Sequence, residues 1–440
     1  MTSHPRPLPF TVPSPGAGAA ARLVSLVLAV VVASAACGGE ATPASPGPST
    51  SPGASAAPSV DPGAIEALTA EIADQVAAIR ELELKEPIDV EILDEAGLVA
   101  YVETAFAKES PPEYVAAYDR LLTRLGLLPP DDDLAELYVE LLSSQVLGLY
   151  DEETDRLYVV ARDEAIGATE KVAFAHEIAH AIQDQHFDLG SVLPEGRDEG
   201  DRALGARTLV EGDASAVMAL WMIANLTPKE QIELLEDAQD PEQVALLEGT
   251  PAILRDPLTF QYEQGLAFAL GLQQTGGWAD VDAAFSNPPA STEQIIHPEK
   301  YAADEAPVEV DLPADLAARL GSGWALALED TFGELQLRTW LRTAGDREPK
   351  ESPDTSAEGW GGDRIGYLTG PDGAEAVVIR TIWDDLSSAL RFREAASHVI
   401  ADVLPDPGTV VGVSDREILV IVASDGPTLD AAVAAFDLPR

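Results

Sequence analysis

The sequence predicts an α+β protein: a mainly helical domain that carries a small β-hairpin or sheet, followed by a small α+β unit at the C-terminus. Three observations predict it. Apolar residues recur at three-and-four spacing through much of residues 64–345, two β-prone runs flank a short polar turn near residue 153, and strand-like and helix-like runs alternate in ββαββα order after residue 358. The 440 residues are 46% hydrophobic, enough to fill real cores. With 27 Lys plus Arg against 76 Asp plus Glu, the formal charge is −49. That surface repels phosphates, so nucleic acid is excluded as a partner. A lone cysteine, Cys37, excludes a disulfide framework, a four-cysteine zinc site and an iron–sulfur cluster, so any metal must sit on His, Asp or Glu.

In chain order, residues 1–36 predict a signal peptide. Arg6 and Arg22 precede the apolar run Leu23–Val32, which passes into Ala33-Ser34-Ala35-Ala36-Cys37. The run is shorter than the ~20 residues of a membrane span, and no transmembrane helix is expected in the mature chain. Ser34-Ala35-Ala36-Cys37 resembles a bacterial lipobox, with Ser34 where Leu is commonest. It predicts acylation of Cys37 and a lipid anchor at the outer face of the bacterial cytoplasmic membrane. Residues 37–63, rich in Pro, Ser, Gly and Ala, cannot bury a core and read as a tether.

Residues 64–129 predict a helical lead-in, opening with the stripe Ile65, Leu68, Ile72, Val76 and Ile79. Leu147–Tyr150 and Arg156–Val160, about the turn Asp151–Asp155, predict a hairpin. Helices follow at Thr169–Gln185, with Thr169 as N-cap, and at Asp201–Ile223; a further helix is expected at Asp330–Arg342. The polar gap 346–357 then separates a main domain, 130–345, from the unit at 358–440. There, strands near Ile365–Leu368 and Ala376–Thr381, a helix at Asp384–Val403, strands near Thr409–Val413 and Ile418–Ala423 and a last helix complete the pattern.

The chemistry lies in the first strong helix, in His176-Glu177-Ile178-Ala179-His180. Residues four apart lie ~40° apart around a helix and one turn along it, so both imidazoles can approach one zinc ion. Glu177 points to the neighbouring face, where it can accept a proton from an activated water and pass it to a leaving amine. The pentapeptide arises by chance in about one such chain in a hundred. The bland alternative is a pair of histidines hydrogen-bonded in a helix interface. A catalytic zinc needs a third protein ligand, and His186 and Glu211 compete for the place. If the helix continues through Gln183, His186 points away. Glu211 stands at the centre of the seam Leu204, Thr208, Glu211, Ser215, Met218 and Met222. A carboxylate in a packing stripe is costly unless it meets a cation, which favours Glu211. Asp213 and Asp184 are weaker rivals, as ligands or as partners that orient a histidine ring.

His176, Glu177, His180 and Glu211, together with the Glu211-Gly212 step and the hairpin before the motif, resemble the gluzincin metallopeptidases, the thermolysin-like clan, over about residues 145–301. The resemblance implies a zincin-like catalytic domain over 130–345, zinc as cofactor and a peptide or protein substrate. Two departures mark a divergent relative: the His180–Glu211 gap is longer than in thermolysin itself, and Ser215 stands where an acidic residue is usual. The resemblance also implies a donor that steadies the oxyanion; His297 comes first for that role, with Tyr262 and Tyr301 as phenolic alternatives. Two readings oppose catalysis: a closed zinc site in a binding or assembly lipoprotein, and a metal-free surface binding lipoprotein.

Overall fold

The computed structural model describes residues 25–26, 62–145, 148–160, 166–194, 197–238, 241–345 and 352–437. Cys37, the tether up to residue 61, residues 346–351 of the polar gap and most of the leader lie outside them, and the last two residues of the predicted tether, Pro62 and Gly63, open the first helix instead. Of the leader, Ser25–Leu26 forms a two-residue strand, β1.

Helix α1, Pro62–Arg80, follows, and the predicted stripe is its packed face: Ile65, Ile72 and Val76 are buried, with Leu68 and Ile79 against them. After strand β2, Asp89–Leu93, come α2, Glu95–Glu109, capped by the Asp94 carboxylate, α3, Pro112–Arg124, and α4, Leu134–Gln145. The hairpin is β3, Gly148–Asp151, and β4, Arg156–Val160, antiparallel with Tyr150 opposite Leu157. Strand β2 adds parallel to β4 and β1 antiparallel to β3, in the order β1-β3-β4-β2. The strand period of two divides the hairpin between two cores. Leu157 and Val159 face the core shared with α1, whereas Leu149, Tyr158 and Val160 pack with Leu98 and Val102 of α2 and Leu142 of α4.

The motif helix α5 runs Ala168–Phe187. Its N-cap is Gly167 and not Thr169; the Glu170 carboxylate accepts from the Gly167 N–H at 2.7 Å, and the Thr169 hydroxyl is turned instead to Asp237. It stops at Asp188, whose φ of 54° leaves the helical region. Then follow α6, Leu189–Val192, and the long α7, Gly200–Asn225, which extends the predicted 201–223 by one residue at its start and two at its end. Helices α8, Pro228–Asp237, α9, Pro241–Gly249, α10, Ala252–Gly276, and α11, Trp278–Ser286, complete the bundle, with short α12, Thr292–Ile296, α13, Pro298–Ala302, and α14, Leu316–Leu320, after them. Among the described residues no helix is long and apolar enough to cross a membrane.

The second sheet begins earlier than the sequence suggests. Strand β5, Ala325–Asp330, occupies the run just before the predicted helix, and that helix, α15, is Gly333–Arg342. Past α16, Pro353–Ala357, come β6, Trp360–Thr369, β7, Glu375–Trp383, α17, Leu386–Asp402, β8, Gly408–Gly412, β9, Glu417–Ala423, and α18, Gly426–Ala435, in the expected ββαββα order. All neighbours in the sheet β5-β6-β7-β9-β8 are antiparallel. Ala-Leu-Ala-Leu favours helix by propensity, but pairing with the long edge of β6 decides for strand.

The lead-in is shared between cores. Helix α1 packs on α5 and α7 in a core that α10 and α11 share, while Leu121, Leu122 and Leu125 from α3 and its C-cap join Trp340, Trp360, Trp383 and Phe392 against the C-terminal sheet.

Candidate metal centre

Residues 168 and 172–183 of α5 are buried, so this helix runs through the middle of the first core. At its centre the two histidines stand one turn apart, and α7 brings Glu211 up to them. The Nε2 atoms of His176 and His180 are 2.9 Å apart, and Glu211 Oε2 is 3.2 Å from His176 Nε2 and 3.4 Å from His180 Nε2. Four ligands in a tetrahedron at ~2.0–2.1 Å from zinc lie ~3.3 Å from one another, so the three atoms are spaced as one ion requires. Among the described residues these three form a buried group that could hold a metal ion. Two imidazoles and a carboxylate are a donor set that suits zinc.

The electrostatics keep the third ligand candidate charged. Burial works to raise Glu211, yet the adjoining imidazoles prevail and hold its carboxyl well below the usual range. Burial lowers His176 and pushes Glu177 well above an ordinary carboxyl. Three polar atoms here are buried with no hydrogen-bond partner among the described residues: His176 Nδ1, Glu177 Oε1 and Ser215 Oγ. A buried orphan costs ~1–3 kcal/mol, so the unused Glu177 oxygen beside the ligand atoms points to a missing group or water.

Glu177 is aimed by the hairpin. Its Oε2 accepts from the Tyr150 N–H of β3 at 2.6 Å, and the Tyr150 hydroxyl donates to Asp184 Oδ2 at 3.0 Å. Tyr262 enters from α10, its ring centroid 5.8 Å from that of His176. A glycine pair allows that approach: a Cβ on Gly212 would lie 2.2 Å from the Gly265 carbonyl oxygen, so the α7 and α10 backbones touch one residue past Glu211. Of the predicted seam on α7, Thr208, Glu211 and Ser215 are buried, while Leu204, Met218 and Met222 pack half-buried at its edges.

The remaining candidates lie elsewhere. His186 Nε2 sits 2.8 Å from the Glu83 carbonyl, outside the metal group. His297 is bound through Nε2 to Glu334 at 3.2 Å, and that carboxylate raises it. Tyr301 donates to the Asn287 carbonyl and packs edge-on against Phe268. Asp184 accepts from Tyr150 and the Leu189 N–H, and Asp213 from Arg80 and Gln183. Arg80 and Gln183 were not singled out by sequence reasoning, although each carries a signal. Arg80 stands four residues past Val76, where the buried stripe of α1 would continue, and Gln183 stands three after His180 on the same side of α5.

Residues 321–435 match a domain of unknown function, DUF8575. The match spans all five strands of the C-terminal sheet and none of the metal group. No curated protein matches the chain. A crystal structure from Chloroflexus aurantiacus, described as "a putative hydrolase with a novel fold", aligns at 20% identity with a TM-score of 0.33, over 56% of this chain and 92% of that one.

Proposed function

We propose that this chain is a zinc-dependent hydrolase that cleaves peptide bonds, exported across a bacterial cytoplasmic membrane and anchored at its outer face through Cys37. The observation that carries the reading is the convergence of His176, His180 and Glu211 within 3.4 Å of one another, beside a Glu177 with one oxygen held and the other unused. A zinc ion held by those three residues would supply a Lewis acid that polarises a carbonyl and acidifies water. Glu177 Oε1 takes the proton from the attacking water, and burial, which raises this carboxyl, suits it to keep that proton until the leaving amine collects it. The Tyr150 N–H fixes the carboxylate through the transfer. Tyr262, whose ring lies near that of His176, is the residue we assign to donate to the developing oxyanion.

The test is metal content and turnover on the same preparations. Purified full chain should carry about one zinc, lost with Glu211→Ala and kept with His186→Ala. Glu177→Gln should keep zinc while peptide cleavage falls by about 10³-fold or more. A second reading, a closed zinc site that holds a binding lipoprotein together, is favoured by one observation: His176, Glu177 and His180 are 0% exposed and Glu211 is 3%. Zinc in the wild type with no cleavage in a broad peptide screen would select it, and a metal-free protein from zinc-replete medium would remove both.

A further inference from the structure

We infer that Gln183, Asp213 and Arg80 form a positioning relay that sets the ring of His180 for metal; the inference rests on the metal-site reading above. Gln183 is buried one turn past His180. Its Nε2 lies 2.9 Å from Asp213 Oδ2 and 3.1 Å from the Val210 carbonyl. Neither a carboxylate nor a carbonyl can donate, so both demand the NH₂ end of the amide. That demand leaves Oε1 facing His180 Nδ1, at 2.8 Å. An amide oxygen only accepts, so Nδ1 must carry a proton, which leaves Nε2, aimed at the point shared with His176 and Glu211, as the atom that would offer its lone pair to a metal.

Asp213 is itself locked. Both its oxygens accept from Arg80 Nε, at 2.9 and 3.0 Å. Arg80 is fully buried at the end of α1, stacked 4.6 Å from the Trp278 ring, with a second ion pair to Asp282 at 2.6 Å. A flipped Gln183 would set two acceptors face to face and lose both donor contacts. The relay thus runs from α1 and α11 through α7 into the motif helix. Among the described residues nothing pairs with His176 Nδ1, so His180 is the preorganised ligand of the pair.

The test is zinc affinity by chelator competition on the full chain, with metal-free thermal unfolding measured alongside. Gln183→Met keeps the length of the side chain but offers nothing to His180 Nδ1, and zinc binding should weaken by about 10–100-fold. Gln183→Glu restores an acceptor, so its affinity should stay above that of Gln183→Met even though a second buried carboxylate beside Asp213 lowers its melting temperature. A cluster that merely packs helices together would order the two variants the other way, with affinity following stability. Parent-like affinity in Gln183→Met, or an equal loss in both variants, overturns the relay. If either variant fails to fold, Asp213→Asn decides. Its shape is unchanged, but it leaves only the Val210 carbonyl to select the NH₂ end of the Gln183 amide, so zinc should weaken, though less than in Gln183→Met, and affinity equal to the parent overturns the part assigned to Asp213 and Arg80. A folded wild type that binds no zinc would instead remove the metal site itself.

Discussion

At the residue scale, the metal group separates what a motif specifies from what a neighbourhood adds. His176, Glu177 and His180 were legible because a helix of fixed pitch places residues four apart on one face. Glu211 was legible because a carboxylate inside a packing stripe asks for a cation. The choice among Tyr262, His297 and Tyr301 was not legible, since it depends on which distant segment folds over the motif. The structure sets Tyr262 beside His176 and ties His297 to Glu334. If peptide cleavage is the reaction, Tyr262→Phe should lower kcat by about 10²-fold with KM little changed, the loss expected for one oxyanion donor. His297→Ala should lower kcat far less. Steady-state kinetics on the two variants checks this, and the reverse order would return the role to His297.

At the element scale, the crossing of α7 and α10 governs the site. Gly212 and Gly265 let two helix backbones meet, and Tyr262 stands less than one turn before that contact. Gly212→Ala must push the helices apart and should cost about 2–3 kcal/mol, as overpacking of a tight interface does. A methyl group on Gly271, also in α10, would meet open space, so Gly271→Ala should be neutral or stabilise by about 0.5–1 kcal/mol through helix propensity. Denaturant unfolding of the two variants tests the crossing; similar midpoints would show that the helices can part freely. The same scale explains strand β5. Its Ala and Leu residues carry no β signal, and only β6 alongside makes a strand of them.

At the scale of the whole molecule, the bundle with the candidate metal group and the C-terminal sheet meet over buried carboxylates. Asp330, at the end of β5, accepts from the Gly200 N–H that opens α7 and from the Thr331 N–H, both at 2.8 Å. Burial is the main cause that pushes it up to about 7, with Asp363 adding and Arg364 opposing. Between the ordinary aspartate value, ~4, and that folded value, the native state keeps a proton that the unfolded chain has released. Stability from this group is therefore present at low pH and falls as pH rises through that window. Asp330→Asn can keep both hydrogen bonds on one oxygen while removing the charge. Its melting temperature relative to wild type should rise between pH 5 and pH 8, and a gap that does not change with pH would exclude Asp330 as the titrating group.

The sequence by itself determined the α+β class, the motif helix, its third ligand candidate and the alternation of the C-terminal unit. Each of these follows from local periodicity, or from the cost of a charge in an apolar stripe, and both are written in adjacent residues. Tertiary structure alone decided that Arg80 of α1 is buried against Asp213 of α7, that the second sheet takes its edge strand from ahead of the polar gap, and that the Tyr262 ring lies near that of His176. These contacts join residues far apart in the chain, and what selects them is shape and pairing across a filled core, which no window of sequence contains.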